Sequence, residues 1–530
     1  MEIGAVSLLT RWLAAFCLLL AGLAGVSANE FRTPSISAVR VEWRAVVDQL
    51  RGEINSQPAI APRFTFASRQ RMPASDPRTT PALVQLNAIN SAIFAGIGRS
   101  PVPVLLPFDT AAYLEAETDG TPPSISRYQA GFRPVDVFHA GPSGYDAVFS
   151  LDPGAGAGLP SRVFARPVEV QITGSLLVYD LADPLGGRGE PVRALAAQFP
   201  DIRRFIREGY VRYAFTRFGV PYVVSIQCLD SAPRARRLAC REAYPIAERF
   251  LKALRVAGGQ PSRPRRDMAS EVAERPVSRS SDFSYLPSGD IIANSGARRR
   301  GGRNDLIAYS QIRFPLAKAP VLVSSQQFGK RRSGGQQGVY PWRDNFCEAR
   351  SFQVGQCAAG FGHQGQDIRA APCPAHSDAD ATCHPRKQAV VAVRDGILIR
   401  SPKQQAATLQ INTGTEHIRF RYMHMNPWAM DADGVLNGRQ VAEGEKIGVV
   451  SNYLDFPNGT SYHLHFDVQV FTRDGWIWVN PYTTLIASYE RLIRGRGREI
   501  GTDPPVAAVA HVLPEDVLRN SIRQGEGREN

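Results

Sequence analysis

The sequence predicts a multidomain chain, with a mixed α+β domain in the N-terminal half and a mainly antiparallel β domain in the C-terminal half. Three observations predict it. The chain has 530 residues, of which 43% are hydrophobic, enough for two to four cores at roughly 150 residues per domain. Up to residue 259, segments rich in Val, Phe, Tyr and Ile mix with stretches of helical spacing, whereas from Asn304 to Arg494 short strand-like runs are punctuated by Gly, Asn and Asp. Between these regions, residues 260–303 are rich in Pro, Ser, Gly and Arg and have little to bury, which marks a flexible basic linker. With 21% charged residues, 25 Phe, 16 Tyr and 6 Trp, wholesale disorder, collagen and coiled coil are excluded.

Taken in order, residues Trp12 to Ala28 form an uncharged apolar run closing on Val26-Ser27-Ala28. This reads as a secretory signal over residues 1–28 with cleavage before Asn29. An uncleaved membrane anchor is the competing reading, since the run sits at the short limit of a span. On either reading the remainder is exported. Residues 29–80 are polar apart from an amphipathic stretch at Val39 to Ile54. Over 81–259, strands are expected at Pro101 to Phe108, Arg162 to Val178 and Tyr210 to Gln227, and helices at Val192 to Glu208 and Arg241 to Val256. In the β region, Lys387 to Val393 and Ile397 to Arg400 read as a hairpin turning at Asp395-Gly396. Strands follow at Thr408 to Asn412, His417 to Met425, Lys446 to Val450 and Leu464 to Phe471, with no helix among them; Ile486 to Arg494 is helical. Residues 495–530 form a polar tail.

The net charge of +13 suits an acidic partner: nucleic acid, an anionic membrane or an anionic wall polymer. Export and the lack of a basic-aromatic recognition motif argue against nucleic acid. Beyond the signal, six cysteines remain, an even number in an oxidising compartment, and their spacing pairs Cys228 with Cys240, Cys347 with Cys357 and Cys373 with Cys383.

Three compact signatures carry chemistry. They are Gly362-His363-Gln364-Gly365-Gln366-Asp367, Arg421-Tyr422-Met423-His424 and Tyr462-His463-Leu464-His465-Phe466-Asp467. Two residues apart on a strand, His463 and His465 project from one face. A hydrolytic Zn²⁺ site takes three protein ligands and leaves a fourth position open. His363, Asp367 and one histidine of the H-x-H supply that number. Asp467 shares a face with His465, as its hydrogen-bonding partner or as a surface carboxylate.

In this order the motifs resemble the lysostaphin and LytM type of zinc peptidase, family M23. The resemblance runs from Phe328-Gly329-Lys330-Arg331 to Asn480-Pro481 and includes Gly444-Glu445-Lys446-Ile447-Gly448. It implies a LytM-type β fold with one zinc held by His363, Asp367 and His465, and with His424 and His463 as the catalytic pair. It also implies a peptidoglycan substrate; the export signal and the alanine- and arginine-rich composition, not the resemblance, point to a periplasm. The chain departs from the family pattern by about 30 residues before His363, which contain Cys347 and Cys357, by an insertion at Ala371 to Arg386, and in the loop Asn452 to Tyr462. Within that insertion, Cys373, His376, Cys383 and His384 could form another zinc site, although a disulfide is the simpler reading. The expectation is an exported zinc metallo-endopeptidase. Its rival is a catalytically silent regulator of other wall hydrolases, which the full set of five site residues disfavours. The 81–259 region matches no known pattern and is a candidate to bind substrate, to dock a regulatory protein partner or to cover the active groove; oligomeric state is not legible.

Overall fold

A computed structural model describes residues 35–55, 81–110, 112, 129–151, 168–181, 189–207, 209–228, 238–261, 311–319, 321–323, 344–370, 388–454 and 456–493. The signal, most of the linker, the Phe328 to Arg331 opening, Cys373, His376, Cys383, His384 and the tail lie outside the described residues. Mostly antiparallel sheets with few helices make up the rest.

The N-terminal part runs through β1 (Ile36–Ala38), α1 (Trp43–Asn55), α2 (Pro81–Asn90), β2 (Val104–Leu106), β3 (Phe132–Gly141), β4 (Gly144–Leu151), β5 (Val168–Ser175), β6 (Leu177–Tyr179), β7 (Glu190–Pro191), β8 (Arg203–Arg207), β9 (Tyr210–Arg217), β10 (Val220–Gln227), α3 (Tyr244–Ala253) and β11 (Arg255–Gly258). Its main sheet has the order β3-β4-β5-β10-β9-β8-β7. Strand alternation sorts its side chains: Tyr145, Phe149, Ile172, Tyr213, Tyr222 and Val224 face a core closed by the helices, while Asp146, Thr173, Arg212 and Val223 occupy the other face. β1 pairs with β6, and Val46 and Leu50 of α1 join the same core, so the folded region starts before residue 81.

The C-terminal part comprises β12 (Val321–Val323), β13 (Gln366–Ala370), β14 (Ala389–Val391), β15 (Gly396–Ile399), β16 (Ala407–Asn412), β17 (His417–Met423), α4 (Pro427–Ala432), β18 (Gln440–Val441), β19 (Lys446–Val449), β20 (Leu464–Thr472), β21 (Gly475–Val479) and α5 (Tyr482–Ile493). Its sheet follows β12-β13-β20-β17-β16-β15-β18, with β21 extending β20. Leu409, Phe420, Tyr422, Leu464, Phe466 and Val468 bury one face with α5. The other face presents His417, Arg419, Arg421, His465, Asp467 and Phe471, and part of it lies against the N-terminal sheet. There Phe471 and Trp476 pack with Phe205, Ala214 and Val223.

The structure corrects three expectations. Val192 to Glu208 is not a helix but a single turn, Arg193–Leu195, followed by β8; Val192, Leu195, Phe199 and Ile202 have helical spacing because all four plug the first core. Lys387 to Arg400 is not a hairpin, since β14 pairs with β19 and β15 with β16. Gly396 is needed instead for close approach, as a Cβ there would lie 2.7 Å from the Gln410 carbonyl oxygen. Finally, α4 does interrupt the strands; Asn426 caps it by accepting from the backbone N–H groups of Trp428 and Ala429, and Pro427 opens it. Disulfides join Cys228 to Cys240 and Cys347 to Cys357. Among the described residues no helix is long and apolar enough to cross a membrane.

Candidate metal centre

Asp367 on β13 stands directly opposite His465 on β20, so the pleat turns both side chains to one face, with Asp367 Oδ1 3.2 Å from His465 Nδ1. Gly365 permits this pairing: a Cβ at that position would sit 2.3 Å from the Phe466 carbonyl oxygen. His363 arrives from the loop closed by Cys347–Cys357, where its N–H donates to the Glu348 carbonyl and its carbonyl accepts from Cys347 N–H, both at 2.8 Å. The ring then donates Nδ1–H to the Asn345 carbonyl at 3.0 Å. Nε2 is left facing inward, 3.0 Å from His465 Nδ1 and 3.2 Å from Asp367 Oδ1.

These three residues are buried, and their ligand atoms lie within 4.8 Å of one another. Zinc bonds of about 2.0–2.1 Å in a tetrahedral arrangement place ligand atoms roughly 3.3 Å apart. The observed separations of 3.0 to 3.2 Å match that spacing. His465 turns its other nitrogen, Nε2, to Asp467 Oδ2 at 3.2 Å. With His363 Nδ1 and His465 Nε2 turned to Asn345 and Asp467, the two inner nitrogens converge on the Asp367 carboxylate as a compact donor set of the kind a cation takes. The residues therefore fit a zinc ion. The three imidazoles around Asp367 outweigh its burial and hold its carboxyl well below the usual carboxylate range. Burial of His465 works against a positive charge, but its bonds to Asp367 and Asp467 prevail and raise its pKa.

His424 and His463 stand beside this triad with ring centroids 4.6 Å apart. His463 donates Nδ1–H to the Ser461 carbonyl at 2.7 Å, and its Nε2 lies 3.4 Å from Asp367 Oδ1. His424 donates Nδ1–H to the Tyr453 carbonyl at 2.7 Å. Burial, reinforced by His463 and His465, lowers its pKa to about 3, so the ring is neutral and Nε2 keeps an open lone pair.

All five residues singled out in the sequence thus share one site. Asp467, for which two readings stood open, is fully buried and bonded to His465. Sequence reasoning assigned no role to Arg421 and Trp478, which both bond Asp467. The registers of β17 and β21 against β20 are the signal that would have found them. Nothing pointed to Asn345, Tyr453 or Ser461, whose contribution is a main-chain carbonyl that any residue supplies.

No protein-family model matches the chain, and no curated protein matches it. Among solved structures, a chain from Ruminococcus gnavus named glycyl-glycine endopeptidase lytM aligns at 18% identity and a TM-score of 0.20, covering 34% of this chain and 62% of that one.

Proposed function

We propose that the chain is an exported, periplasmic zinc metallo-endopeptidase that hydrolyses amide bonds in the peptide stems or cross-links of peptidoglycan. The observation that carries this reading is the convergence of His363 Nε2, Asp367 Oδ1 and His465 Nδ1 at 3.0 to 3.2 Å beside a second imidazole pair. The substrate class and the periplasmic setting rest on the motif resemblance and the signal-like N-terminus, and the basic charge suits an anionic wall.

His363, Asp367 and His465 would hold one zinc, which would supply Lewis acidity to polarise a carbonyl and acidify water. The chain's own residues do the rest. His424, neutral and anchored through Nδ1, receives a proton on Nε2 from the attacking water. His463, anchored through Nδ1 to Ser461, donates Nε2–H to the charge that develops on the former carbonyl oxygen when the ring carries its second proton. The proton held on His424 then passes to the departing amine. Exposed Trp428, which bonds Tyr453, and exposed Leu454 and Phe456 beside it offer an apolar wall next to His424.

Residues 29–530, purified and incubated with cross-linked peptidoglycan, should release new amino groups, and His363→Ala should lose both this activity and zinc. Hydrolysis that persists in His363→Ala would overturn the proposal.

A further inference from the structure

Buried on the same sheet face as the triad, Asp467 follows His465 by two residues on β20 and is fully inaccessible. Its Oδ2 accepts from His465 Nε2 at 3.2 Å and from Arg421 Nε at 2.7 Å. Its Oδ1 accepts from Trp478 Nε1 at 2.9 Å and from Gln469 Nε2 at 3.5 Å. Donors thus reach one carboxylate from three adjacent strands, β17, β20 and β21. Gripped in this way, a carboxylate has one orientation. We infer that Asp467, oriented by Arg421 and Trp478, is a positioning residue that fixes the ring angle and tautomer of His465.

The inference rests on the zinc reading above and adds to it. An imidazole can present either nitrogen to a cation, and the choice is set by where the other N–H goes. For His363 that destination is a main-chain carbonyl, Asn345. For His465 it is a charged acceptor, which makes the inward Nδ1 more basic as well as correctly aimed. Arg421 serves in turn as the charged partner of Asp467, its Nε 2.7 Å from the same Oδ2 that accepts from His465. The competing assignment is purely architectural, with Asp467 present only to neutralise half-buried Arg421.

Two readouts separate these roles in the full exported chain. The first is zinc affinity by competition with a chelator. The second is the set of ring ¹⁵N shifts of His465 in metal-free protein, assigned by difference from His465→Gln. Asp467→Asn should weaken zinc binding about 10- to 100-fold and move the His465 nitrogens away from the pattern of a ring protonated at Nε2. Folded Asp467→Asn protein with wild-type zinc affinity and unchanged nitrogen shifts would overturn the inference. Should that variant not fold, Trp478→Phe decides, because it removes one donor while keeping an aromatic ring: a several-fold loss of zinc affinity supports the inference and wild-type affinity overturns it. Wild-type protein that takes up no zinc would instead sink the hydrolase proposal, and the nitrogen shifts would still judge Asp467.

Discussion

His424 adopts φ of 66°, the left-handed region that costs a non-glycine residue on the order of 1 kcal/mol. The chain accepts this because leaving β17 in that conformation turns the imidazole toward His463. Two contacts hold the strained residue: its N–H donates to the Gln405 side-chain oxygen, and its ring to the Tyr453 carbonyl. Asparagine tolerates this backbone region. His424→Asn should therefore keep zinc and fold stability within about 1 kcal/mol while losing at least about 100-fold in amide hydrolysis, the usual worth of a proton-transfer group. Thermal melts, metal analysis and product assays on one preparation check this together. At this scale the sequence was most legible, because two imidazoles and a carboxylate at fixed spacings are a chemical statement that few other roles require. It was least legible where main-chain carbonyls orient the rings.

The disulfide loop before His363 shows what an element contributes beyond its residues. Cys347–Cys357 closes a separation of 10 residues, and from the same loop Asn345 and Glu348 hold the ring and backbone of His363. Asp344 anchors the loop's base by accepting from Gln366 and Asn480. Replacing both cysteines by serine should lower stability by about 2–3 kcal/mol and weaken zinc binding as well; chemical denaturation and chelator competition measure the two losses, and unchanged zinc affinity would show that the loop does not brace the site. In the sequence this loop is legible only as an insertion whose two cysteines are spaced to pair, since nothing local tells a brace from an ornament. Strand identity was legible from Val, Ile and aromatic content, but pairing was not. The false hairpin at Asp395-Gly396 arose because glycine serves close packing as well as turns, and spacing alone does not tell the two apart.

Across the whole molecule, two sheets meet through a polar layer beside the apolar cluster of Phe471 and Trp476. Asp146 on β4 accepts from Thr173 Oγ1 at 2.7 Å and from Arg419 at 3.2 Å, and lies 2.9 Å from His417 Nε2. Ser175 bonds the other nitrogen of His417 at 2.8 Å. Arg419 stacks 3.9 Å above the Trp476 ring, and Asn412 bonds Ser143 and Gly144. Through Arg419, Arg421 and Asp467 this layer lies on the face that carries His465. Composition assigned the two regions to separate domains; their union rests on contacts between residues some 270 positions apart, which no local pattern reveals. Burial alone would raise the Asp146 carboxyl, but His417, Arg419 and Thr173 outweigh it and bring its pKa down to about 2. His139 stands across the strand pair, and burial lowers its pKa. A carboxyl depressed on folding stabilises above its ordinary pKa of about 4, and the gain, about 2 kcal/mol, fades as pH falls toward 2. Asp146→Asn should cost about 3 kcal/mol or more at pH 7, with the gap to wild type narrowing between pH 4 and pH 2.5 in urea titrations. A gap that stays constant would exclude Asp146 as the acid-sensitive group.

Zinc content across single substitutions of the five site residues is the most direct measurement of the whole account. The wild-type chain should hold one zinc, and His363→Ala, Asp367→Ala and His465→Ala should each lose it, while His424→Ala and His463→Ala retain it without activity. Equal zinc in all five variants, or none in the wild type, would contradict the metal centre on which the account stands.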